Sequence, residues 1–161
     1  MTLPATSNPA TNPAEQALSD GMAKLETALL TPVVSGELNS WVKNAQQAAD
    51  NFGSQLGQYI DRVLHKEFNE IAKSDSELLE RVQSMYKEEK ALVAEHVKFR
   101  EDLASLVTRS DGEKRDELKM AEQVDRVEKR GHELILSVKR LQVAASTWLT
   151  EAVYRDRGPV D

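Results

Sequence analysis

Nine residues at helical spacing constrain this chain most: Leu78, Val82, Met85, Glu89, Leu92, His96, Phe99, Leu103 and Leu106. They recur with a period of about 3.5, the signature of a helix that buries one face. The spacing predicts a helix over residues 77–107. The seam is apolar except at Glu89 and His96, which sit one heptad apart and face inward with the rest. An apolar seam this long must be covered by other elements, so the remainder of the chain is read for helices that can cover it.

Three further helices are predicted. Asn12 as N-cap, Pro13 at the first helical position and Glu15 in the first turn open one that carries Leu18, Met22, Leu25 and Leu29 on a single face and stops before Pro32. A second spans about residues 36–72, with Leu38, Trp41, Val42, Ala45, Ala49, Phe52, Leu56, Tyr59, Ile60, Val63 and Leu64 inward. Ala45, Ala49, Gly53 and Gly57 form a ladder of small residues along it. Each glycine costs a helix about 1 kcal/mol relative to alanine, so two on one stripe suggest an unusually close neighbour. Ser74 with Glu77 reads as the capping box of the seam helix, and Ser110 with Glu113 as that of the last helix. That helix runs from 113 to about 155, with Met120, Val124, Val127, Gly131, Leu134, Val138, Leu141, Ala145, Trp148 and Ala152 inward, and Gly158-Pro159 ends it.

The fold class expected is all-α: an up-down antiparallel four-helix bundle with a short first helix and three long ones. Residues 1–12 read as a disordered leader, 13–157 as one helical domain and 158–161 as a tail. Aromatic residues are only 5% of the 161, which favours helix over sheet. No apolar run approaches the roughly 18 residues that span a bilayer, and no basic-then-apolar start marks a secretory signal. A cytoplasmic location and no membrane partner are expected. The net charge is −6, with bases interleaved among acids as in Glu128-Lys129-Arg130, which argues against a nucleic-acid partner. With no cysteine, thiolate metal sites and thiol nucleophiles are excluded.

Glycine-rich nucleotide loops and a nucleophile elbow are missing from the sequence. The candidates for chemistry are therefore the histidines and their carboxylates. Asp61 and His65, four apart, fit either a metal clamp or an exposed histidine on a solvated face. Glu128 and His132 repeat that spacing at the edge of the last helix's core face. Glu89 and His96 lie about 10.5 Å apart along their helix, too far to share one ion held at about 2 Å. They fit a buried, hydrogen-bonded polar layer, or ligands at two levels of a bundle with partners from other helices.

Three stretches resemble the hemerythrin-like (HHE cation-binding) four-helix-bundle family in its divergent bacterial branch: LTPVVSGELNSWVKNAQQAADNFGSQL, SELLERVQSMYKEEKALVAEHVKFREDLASLV and the C-terminal ASTWLTEAVYRDRG. The resemblance covers the chain from about residue 17 onward. It implies a bundle that in typical members holds a di-iron centre and binds or senses oxygen. The family's ligands are a His on the first helix, His-x3-Glu on the second, His-x3-His on the third and His-x4-Asp on the fourth. Here the first helix has no His, Asn69 follows His65 where Glu is usual, and Arg100 follows His96 where a second His is usual. On the last helix Leu141 and Gln142 stand where a His is usual, and His132 is too far upstream. With three histidines in all, the usual centre cannot form.

The function expected is a non-enzymatic bundle without a di-iron site, an interaction or structural module with no cofactor. The ladder suggests a homodimer or partner helix docking through residues 36–72. The alternative is an iron or other divalent-metal protein, sensing oxygen species, whose non-standard site draws on Glu89, His96, Asp61, His65, Glu128 and His132.

Overall fold

The computed structural model describes residues 12–34, 36–74, 76–110 and 117–156, and among these there are helices and no strands. Helix α1 (Pro13–Leu30) begins as its cap residues dictate, with the Asn12 side chain accepting the Ala14 amide at 2.9 Å. The link to α2 (Leu38–Tyr59) turns at Gly36, whose φ of +85° suits glycine. Trp41 pins the link by donating its indole N–H to the Thr31 carbonyl at 2.8 Å.

The second predicted helix is not a single α-helix. A π-helical turn (Ile60–Leu64) separates α2 from α3 (His65–Ser74). Ser74 is the last residue of α3, and its expected cap with Glu77 lies outside the described side chains. That helix opens with a 3₁₀ turn (Ser76–Leu78) and continues as α4 (Leu79–Ser110). The last is α5 (Glu117–Asp156). Ser110 ends α4, and the rest of its expected capping box lies outside the described residues, as do the leader up to residue 11 and the Gly158-Pro159 stop.

Helix α1 packs on α2 and α5, α2 on α4, and α4 on α5, while α3 touches both α4 and α5. One hydrophobic core runs through these contacts. It takes in the expected inward residues of α1 and α2 and all seven apolar members of the α4 seam. Full burial of one Leu or Phe side chain contributes about 1.5–3 kcal/mol, so this core dominates the stability. Among the described residues no helix is long and apolar enough to cross a membrane.

The π turn explains the one large error of phase in the sequence reading. Each residue of an α-helix advances about 100°. A π turn holds one residue more, so everything after it is rotated by about that angle. Phe68, which an unbroken helix would place on the flank, is fully buried. The same rotation brings His65 from the solvent side round to α4.

Candidate functional site

Two polar residues lie buried in the α4 seam, as the spacing requires: Glu89 and His96. They do not form a shared layer. Each is bound to a different partner on the second helical run.

His96 reaches across to α2 and donates its Nε2 proton to the Ala49 carbonyl at 2.8 Å. The ring passes over Gly53, where a Cβ would stand 2.6 Å from Nε2. The ring also packs tilted on Phe52, with centroids 5.8 Å apart. The small-residue ladder is thereby used inside the fold. Ala45 and Ala49 are fully buried, and Gly53 makes room for the imidazole. Gly57 has no atom of the described residues within 4 Å of a would-be Cβ, so it makes no close packing within the described chain.

Glu89 accepts the Nε2 proton of His65 on Oε2 at 3.1 Å. This corrects the reading of His65 as an exposed residue on a solvated face: its side chain is 40% exposed and is tied to a buried carboxylate. The opposite ring nitrogen, Nδ1, lies 3.8 Å from Asp61 Oδ1, which belongs to the π turn and is open to solvent. Tyr86 packs its ring against two neighbours, tilted on His65 and edge-on to Phe68, at 5.4 and 5.6 Å between centroids. The second carboxylate oxygen of Glu89 is buried with no hydrogen-bond donor.

The electrostatics around this pair are acidic. Burial raises the Glu89 carboxyl above its ordinary value, and the hydrogen bond and charge of His65 pull it back down. Burial also raises the Glu67 carboxyl, helped by Glu15 and Glu70. The buried Tyr59 hydroxyl is raised by desolvation and then by Glu15, Glu67 and Glu89. His65 is the basic member of the group. It lets the fold hold a carboxylate in its interior.

Asp61, His65 and Glu89 are thus brought together, yet they do not point at one spot. The two carboxylates stand on opposite nitrogens of one imidazole, whose lone-pair directions diverge. A single ion can meet only one of those nitrogens. Among the described residues no group of three or more His, Asp or Glu side chains is placed to hold a metal ion. His96 is committed to Ala49. Glu128, whose carboxyl is raised by burial and by Asp125, answers to His132 on its own helix. The sequence could have revealed this arrangement only through Phe68, an aromatic one residue out of phase with the α2 stripe. No protein-family model, no curated protein and no solved structure matches the chain.

Proposed function

We propose that this chain is a non-enzymatic, hemerythrin-like helical bundle without a di-iron centre, acting as an interaction or structural module. In this reading the helices run up-down and antiparallel. The ring of neighbours α1–α2–α4–α5 and the short link between α1 and α2 support that arrangement.

The observation that carries the proposal is the bond between His96 and Ala49. A carbonyl oxygen only accepts, so His96 Nε2 holds its proton and has no lone pair to offer a metal or a substrate. The most inward imidazole of the chain therefore serves to hold α4 on α2. Its partner in the seam, Glu89, is likewise bound to a side chain of the fold. Chemistry of the interior is spent on register, a use for which single polar residues in helical cores are well suited. For contacts with other molecules the surface offers exposed apolar side chains, Val93 and Val97 on α4 and Leu136 and Val143 on α5.

Metal analysis and sedimentation of the purified full chain test this reading. Expected are substoichiometric metal after dialysis and a defined complex, either of two copies or with a partner protein. Stoichiometric iron, manganese or zinc surviving dialysis would overturn it in favour of the metal-binding alternative.

A further inference from the structure

We propose that the His65–Glu89 pair is a proton-operated latch. It clamps the segment after the π turn onto α4 while the imidazole is protonated, and loosens when that proton is lost. The latch is independent of the interaction reading above, because it rests on the pair and the turn alone.

Three observations converge on it. First, Glu89 is a buried carboxylate with a single compensating partner: Oε2 takes the His65 proton, and Oε1 has no donor. Removing the positive partner of a buried charge is strongly destabilising, because the remaining charge is left without compensation. Second, His65 is only half-buried, so solvent protons reach it. Imidazole is the side chain that ordinarily changes charge between about pH 5 and pH 8. Third, the clamped segment is joined to α2 through the π-helical turn, where the regular i→i−4 ladder is already interrupted. Its hold on α4 combines the burial of Phe68, packed edge-on against Tyr86, with the His65–Glu89 bond, a polar tie between the two that titrates.

The surrounding groups sharpen the response. Glu15 faces the cluster from α1, Tyr59 from α2, Asp61 from the π turn, Glu67 from α3 and Tyr86 from α4. From α5, Arg140 shares a groove with Glu88 and Glu95, on another face of α4. The groups at the pair are otherwise carboxylates and phenols. When the imidazole becomes neutral, the cluster keeps its negative charge and loses its positive one. The hold of the segment His65–Ser74 on α4 then weakens, and the segment opens locally more often.

Hydrogen exchange of the full chain, corrected for the intrinsic effect of pH, tests the latch. Between about pH 5 and pH 8, protection across residues 60–74 is expected to fall about tenfold while that of residues 124–141 in α5 holds steady. Glu89→Gln keeps an acceptor for His65 without a charge, and should hold residues 60–74 protected at every pH. His65→Gln should leave them poorly protected throughout. Should His65→Gln fail to fold, wild type and Glu89→Gln decide the matter alone. Equal pH responses of 60–74 and α5, or the same pH response of 60–74 in wild type and Glu89→Gln, would overturn the proposal.

Discussion

The His96 imidazole occupies the space that a side chain at Gly53 would need. It does so while bonding the carbonyl of Ala49, one helical turn earlier. Alanine at Gly53 must push the ring aside and break that bond. Gly57, one turn further on, has open space at the same place. Gly53→Ala should therefore destabilise by about 1–3 kcal/mol, as overpacking does, whereas Gly57→Ala should stabilise by about 0.5–1 kcal/mol through helix propensity. Urea unfolding of the two variants gives both signs. Combining Gly53→Ala with His96→Ala should cost less than the sum of the two, because the clash disappears.

Phe68 tests the rotation imposed by the π turn. It is fully buried, so Phe68→Ala should cost about 3–5 kcal/mol. Asn69, its exposed neighbour, should change stability by less than about 0.5 kcal/mol when replaced by alanine. Deleting Asp61 would remove the extra residue of the π turn and leave Phe68 inward on an unbroken α-helix, whereas one alanine inserted in the turn would rotate Phe68 off the core by about 100°. In calorimetry the deletion should melt close to the wild type, and the insertion well below it.

Glu89 makes stability depend on pH with a definite sign. Burial raises its carboxyl in the folded chain, so the folded state favours the protonated form. That contribution is fully present below the carboxyl's value in the unfolded chain and is lost as pH rises through its raised folded value. Glu89→Gln is neutral throughout and avoids the loss. Its stability relative to wild type should rise from acid pH to neutral pH, reaching on the order of 1 kcal/mol. Chemical denaturation at several pH values measures the difference, and a gap that shrinks toward neutral pH would contradict the assignment.

The surface ion pairs should matter little by comparison. Arg100 holds Asp50 at 2.7 Å and Arg81 holds Glu151 at 2.8 Å, both with half-exposed partners. Arg130 pairs with Asp102 in the same manner. Double-mutant cycles on Arg100–Asp50 should give a coupling below about 1 kcal/mol, reduced further by salt. Arg81 also lies 5.8 Å over the Trp148 ring, so Arg81→Ala should cost somewhat more than loss of Glu151 alone.

What the sequence determined by itself is the set of helices and their inward faces. The seam from Leu78 to Leu106, the face from Leu38 to Leu64 and the Asn12 cap all follow from local spacing, because burial of one helical face is a property of phase within that helix. The inward aim of Glu89 and His96 followed for the same reason. Their partners did not. His96 meets Ala49 and Glu89 meets His65 across 47 and 24 residues of chain. Only the packing of α2 and α3 against α4 sets those distances. The π turn belongs to the same class. It is locally unfavourable, and the burial of Phe68 with the bond from His65 to Glu89 offsets it. Residue spacing alone left both His65 and Phe68 outside the core. The tertiary structure decided that the two polar residues of the seam are two separate fastenings, one made to a backbone carbonyl and one to a titratable side chain.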